Sequence, residues 1–153
     1  MRTLLLVASL LALTAGCKRD TADRASPLAA TVRACTAHGD LSCPRAILYV
    51  SDIAASQRYF HEQLGFKIDW LYEGDFGAVS RGDTQLFMCQ RCQGHPGSWL
   101  WVFTPNVDKL YEELVKRGAR IKEPPTNRPW GAREMVVADL DDNMLRIASE
   151  SHD

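Results

Sequence analysis

The chain reads as an α+β fold in which two tandem βαβββ modules, residues 44–92 and 98–150, form a curved sheet around a cleft. Three observations carry this reading. The order strand, helix, three strands occurs twice along the sequence. Each helix opens on a polar capping residue and closes on glycine, at Asp52 and Gly65 in the first half and at Asn106 and Gly118 in the second. The caps lie 54 residues apart, and the tight turns Gly82-Asp83 and Asp141-Asp142 lie 59 apart, which is an internal repeat of only two copies and so not a solenoid.

In the first module the apolar run Ala46 to Val50 is a short strand, after which Asp52 caps a helix with apolar positions at Ile53, Phe60 and Leu64. Phe66 to Tyr72, Phe76 to Ser80 and Thr84 to Cys89 follow as strands, with Ile68, Trp70 and Tyr72 expected on one side. In the second module Trp99 to Thr104 is a strand, and Val107, Leu110, Tyr111, Leu114 and Val115 form one helical stripe. Strands are expected near Ala119 to Lys122, Arg133 to Asp139 and Met144 to Ala148. Met135 and Val137 alternate with Glu134, Val136 and Ala138, and an Asp/Asn-rich turn precedes the last strand, which is a hairpin signal. Before it, Pro129-Trp130-Gly131 sets an indole in a loop, where it can offer a ring face to a ligand or cap the sheet.

Alternation also marks the residues on the face opposite the helices. They are Arg45, Ile47 and Tyr49, then Gln85, Phe87 and Cys89, then Trp99, Trp101 and Phe103, and finally Met144 and Arg146. So aromatic a surface suits a flat ligand better than a small polar one.

Length and composition fit one globular domain, since 153 residues are 46% apolar and 24% charged. The formal net charge of −1 recruits neither nucleic acid nor an anionic membrane. Residues 1–16, with Arg2 ahead of the uncharged run Thr3 to Leu13, are expected to be a signal peptide, too short for a membrane span. Thr14-Ala15-Gly16-Cys17 is similar to the lipobox of bacterial lipoproteins, which makes Cys17 the expected lipid attachment point and residues 17–43 a lipidated tether. Lys18 after that cysteine resembles the sorting pattern for the outer membrane. The expected place is therefore the cell envelope, on the periplasmic side. Cys35, Cys43, Cys89 and Cys92 then remain, an even number in an oxidising space; structural disulfides are expected, most simply Cys35 with Cys43, with three pairings open. Cys89-Gln-Arg-Cys92 has redox or zinc spacing, but no helix follows it.

The sequence resembles the vicinal oxygen chelate superfamily over about residues 45 to 150. The residues that carry this are Val50-Ser51-Asp52, Tyr59-Phe60, Leu64-Gly65-Phe66 and Asp75 to Asp83 with Leu86-Phe87. In the second half they are Trp99 to Val102, Val107 to Tyr111, Pro129-Trp130-Gly131 with Arg133-Glu134, and Asp139 to Asn143. Together they look most like the bleomycin-resistance branch. The resemblance implies four metal-ligand positions, which fall here on Arg45, Phe87, Trp99 and Arg146. Arginine stays protonated, and the two aromatic rings offer no lone pair to a hard cation, so no metal and no other cofactor is expected. What the resemblance then implies is a binding protein that sequesters a planar or glycopeptide ligand, such as a bleomycin-like drug, between aromatic rings at the interface of a homodimer. Trp130 would be one stacking face, Phe76 a wall, and Trp70 or Tyr72 the opposing ring. Asp69, Glu73, Asp75 and Glu134 are candidate local acids, while Arg45 and Arg146 call for an anion. The other readings are a metalloenzyme of the superfamily with relocated ligands, and a non-catalytic envelope module.

Overall fold

The computed structural model describes residues 44–151. Cys17, Cys35, Cys43 and the expected signal peptide and tether lie outside that range. Strand β1 (Ala46–Val50) leads into helix α1 (Ile53–Glu62), followed by β2 (Lys67–Tyr72), β3 (Phe76–Arg81) and β4 (Thr84–Gln90). The second module repeats this with β5 (Trp99–Phe103), α2 (Val107–Lys116), β6 (Arg120–Asn127), β7 (Ala132–Ala138) and β8 (Met144–Glu150). Strand order is identical in the two sheets, β1-β4-β3-β2 and β5-β8-β7-β6. In each, the first strand lies parallel to the last and the other pairs are antiparallel.

The helix ends form as the capping residues dictate. The Asp52 carboxylate accepts from Ala55 N at 2.9 Å, and the Asn106 side chain accepts from Lys109 N at 2.8 Å. At the far end of α1 the chain turns through Gly65 at φ +71°, and Phe66 N donates to Phe60 O, which leads directly into β2.

Both sheets turn one face toward a shared core. Leu48, Val50, Phe60, Leu64, Leu86 and Met88 from the first module pack with Val107, Leu114, Met135, Val137 and Leu145 from the second, all essentially inaccessible to solvent. Tyr59 stitches the modules together from within that core, its hydroxyl donating to Ala138 O at 2.8 Å and accepting from Arg120 N at 2.9 Å. Asn143 does the same at the sheet edges: its amide donates to Tyr49 O at 3.0 Å while its carbonyl accepts from Ser98 N at 3.1 Å. The end of β1 therefore sits at the start of β5, and the start of β1 shares a hollow with Leu100 to Phe103.

Two expectations are corrected. Ile68 does not share a side with Trp70 and Tyr72, because a bulge at Asp69 shifts the register: Ile68 lies opposite Val79, whereas Trp70 and Tyr72 lie opposite Ala78 and Phe76. Strand β6 does not stop at Lys122 but runs through Pro124-Pro125 to Asn127. It can do so because it is an edge strand with two register shifts, so the missing amide donors leave no central ladder broken. Cys89 is bonded to Cys92, closing the short loop at the end of β4, which is a disulfide of the kind expected and one of the pairings left open. Among the described residues, no helix is long and apolar enough to cross a membrane.

Candidate aromatic binding site

The predicted site residues fall into two groups on the open faces. In the first module Trp70, Phe76 and Phe87 form a ring triad, with centroids 5.5 to 5.7 Å apart and tilted or edge-on planes. Trp70 is thus the member of the Trp70–Tyr72 stretch that belongs to the triad. Tyr72 stands out at the strand end, 55% exposed, where a hydrogen bond from its hydroxyl to Glu73 and the charge of that carboxylate push its pKa up. Beside the triad Arg45 is held in a polar chain. Its Nε donates to Gln85 Oε1 at 2.9 Å, and the Gln85 amide donates to Asp69 at 2.9 Å, which also accepts from Ser80 Oγ at 2.8 Å.

In the second module the centre is Glu134, which is only 1% exposed. Trp130 Nε1 donates to its Oε1 at 3.1 Å and Trp101 Nε1 approaches the same oxygen at 3.5 Å. The other oxygen, Oε2, faces two guanidinium groups, with Arg128 Nε at 3.5 Å and Arg146 Nη1 at 3.8 Å. Trp99 completes the group, the Arg146 guanidinium lying 5.3 Å from its ring centroid. One buried carboxylate so anchors the polar edges of two indoles whose faces remain open, Trp101 at 60% and Trp130 at 63% exposure. Such exposure of large rings on one face is what a ligand or partner would cover. Among the described residues no ring contact joins this group to the Trp70–Phe76–Phe87 triad.

Glu134 and Arg128 hold these aromatics in place, and neither stands out in the sequence as a hub. Glu134 figures there only as one candidate acid among four. The one available signal is that it is the sole acid on a strand that is apolar apart from Arg133, a position at which burial demands partners.

A hollow of about 390 Å³ lies on the other side of the sheets, between the β3–β4 turn at Arg81 to Thr84 and the apolar residues Val102, Leu110 and Leu114. Among the described residues no group of three or more His, Cys, Asp or Glu is placed so that it could hold a metal ion. The positions where the resemblance places metal ligands hold two guanidinium groups, a phenyl ring and an indole, a donor set that does not fit a divalent ion.

Comparison with known proteins agrees with this architecture. The chain is 27% identical over 117 residues to the uncharacterised protein YraH of Bacillus subtilis, covering 65% of this chain and 91% of that one. Among solved structures it is similar to TioX from Micromonospora sp. ML1, at 17% identity and a TM-score of 0.60 over 71% of this chain and all of that one. It is also similar to the virulence protein STM3117 of Salmonella typhimurium, at 22% identity and a TM-score of 0.60 over 76% of this chain and all of that one. A lactoylglutathione lyase from Agrobacterium tumefaciens shares the fold at 11% identity and a TM-score of 0.61, covering 72% of this chain and 94% of the lyase. Identities this low speak for fold alone. The family model for the glyoxalase/bleomycin resistance protein/dioxygenase superfamily matches residues 42–147, and the chain belongs to that superfamily.

Proposed function

We propose that this protein is a metal-free binding protein of the bleomycin-resistance type, which sequesters a flat aromatic ligand against the indoles of Trp130 and Trp101. The observation that carries the reading is the double anchoring of those indoles on buried Glu134. A ring held by its polar edge has already lost its rotational freedom, so stacking a planar ligand on it costs little further entropy. Offset stacking on an aromatic face contributes about 0.5–1.5 kcal/mol beyond area burial. Trp70, Phe76 and Phe87 supply the apolar wall of the first module's open face, with Tyr72 at its rim. The superfamily contains both enzymes and binding proteins; Arg45, Phe87, Trp99 and Arg146 support the second.

The reading includes a homodimer, because Trp99, Trp101 and Phe103 are each more than half exposed along edge strand β5. It also includes a lipid on Cys17 that holds the protein in the cell envelope, where it intercepts its ligand outside the cytoplasm. The test is a tryptophan-fluorescence titration with bleomycin and a panel of planar compounds. Saturable quenching by at least one of them is expected; a flat response to all would end the reading.

A further inference from the structure

We infer that the ligand taken against Trp99, Trp101 and Trp130 carries an anionic group, a carboxylate or its chemical equivalent, that docks on the guanidinium of Arg146. The inference rests on the aromatic-site reading above and adds the charge of the ligand.

Arg146 projects from the open face of β8, opposite Val136 and beside Trp101, so its stem is fixed by sheet neighbours. Its head lies over the Trp99 ring. Its Nε is buried without a hydrogen-bond acceptor, and the nearest carboxylate, Glu134 Oε2, stands 3.8 Å from Nη1, beyond hydrogen-bonding distance. Glu134 Oε1 takes both indole donors, while Oε2 accepts no hydrogen bond and forms only ion pairs, with Arg128 at 3.5 Å and Arg146 at 3.8 Å. Arg128 in turn has a second acid, its Nη2 donating to Glu123 at 2.5 Å. The two acids and two guanidinium groups balance formally, yet Arg146 is the one left without a charge-assisted hydrogen bond. Arg45 on the neighbouring face differs, its Nε being paired to Gln85 and through it to Asp69.

A guanidinium that is 35% exposed and makes no hydrogen bond leaves a donor for an acceptor on its open side, and a planar carboxylate fits such a fork with two parallel hydrogen bonds. A neutral aromatic would leave that donor unpaired, and an ammonium would meet like charge. Open indole faces next to an under-used guanidinium together form the footprint of an aromatic acid.

Isothermal titration calorimetry of the full chain with 2-naphthoate, 2-naphthalenemethanol and 2-naphthylmethylammonium separates these cases, since the three probes share one ring system. Naphthoate is expected to bind about tenfold tighter than the alcohol, with the ammonium weakest. Arg146→Gln is expected to bring naphthoate to about the affinity of the alcohol while changing the alcohol by no more than about threefold; Arg146→Lys, which keeps the charge without the fork, is expected to fall between. An ammonium that binds as tightly as naphthoate, or an Arg146→Gln variant that weakens all three probes alike, would overturn the inference and leave the aromatic site standing. Binding of none of the three to the wild-type protein would remove both.

Discussion

Trp130 Nε1 donates to Glu134 Oε1 at 3.1 Å, so an indole that is 63% exposed is fixed by a carboxylate that is 1% exposed. The polar edge points into the protein and the face points out. That division of one side chain into an anchored edge and a free face is what makes the surface around β7 a candidate site, and it makes Glu134 the residue whose loss is expected to be felt most widely.

Replacing Glu134 with Gln removes the charge shared by Arg128 and Arg146 and turns an amide donor toward one of its neighbours. Removing one member of a buried charge cluster costs about 3–5 kcal/mol, and the partial exposure of both arginines, 25% and 35%, reduces this to roughly 1–3 kcal/mol. Urea unfolding of Glu134→Gln beside the wild type measures it. An unchanged midpoint would mean that the carboxylate contributes nothing to the fold.

Tyr59→Phe keeps the ring and deletes the hydroxyl that links Ala138 O with Arg120 N. Two buried backbone groups then lose a partner, at about 1–3 kcal/mol. Because these hydrogen bonds cross between the modules, hydrogen exchange is expected to rise at Arg120. Faster exchange confined to α1 would contradict this assignment.

Gly77→Ala tests the packing of α1 on β3. A Cβ there would stand 2.6 Å from Gln57 Nε2 and 2.9 Å from Trp70 O, and the second of these is backbone that cannot move aside without shifting β2. A loss of about 1–3 kcal/mol is expected from overpacking, together with a change in the near-ultraviolet signal of Trp70. A variant as stable as wild type would show that β2 yields more freely than its register implies.

Asp139 provides a pH test. Burial raises its pKa above the usual aspartate range, against the opposing hydrogen bonds from Asn143 and Asp141. A raised folded-state value means that the folded protein binds this proton more tightly than the unfolded chain does. The resulting stabilisation is complete below about pH 3.9, the unfolded value, and is lost as pH rises through the folded one. Across that window the stability of the wild type relative to Asp139→Asn is therefore expected to improve on acidification. A difference that grows in the opposite direction would contradict the sign.

Much of the fold is legible in the chain because each element has local punctuation. Asp52, Asn106, Gly65 and Gly118 mark the helix ends, and Met135 and Val137 against Glu134 and Val136 mark the faces of β7. What escapes is set by partners distant in sequence. The bulge at Asp69 leaves no compositional trace, since that residue's reasons for being there, Ser80 and Gln85, lie on other strands. The run of β6 through Pro124-Pro125 depends on its edge position, which only the assembled sheet reveals. Trp130, Trp101 and Arg146 can each be named from the aromatic and charged pattern, but their convergence on Glu134 joins β5, β8 and the loop before β7, strands whose adjacency no local period encodes.

The most direct measurement is the affinity of a planar ligand for Trp130→Ala against that of wild type, by calorimetry on folded protein. An anchored stacking face predicts a loss of about 2 kcal/mol or more, close to thirtyfold in Kd. A loss of only a few tenths of a kcal/mol, with the fold intact, would place Trp130 outside the site and contradict the account.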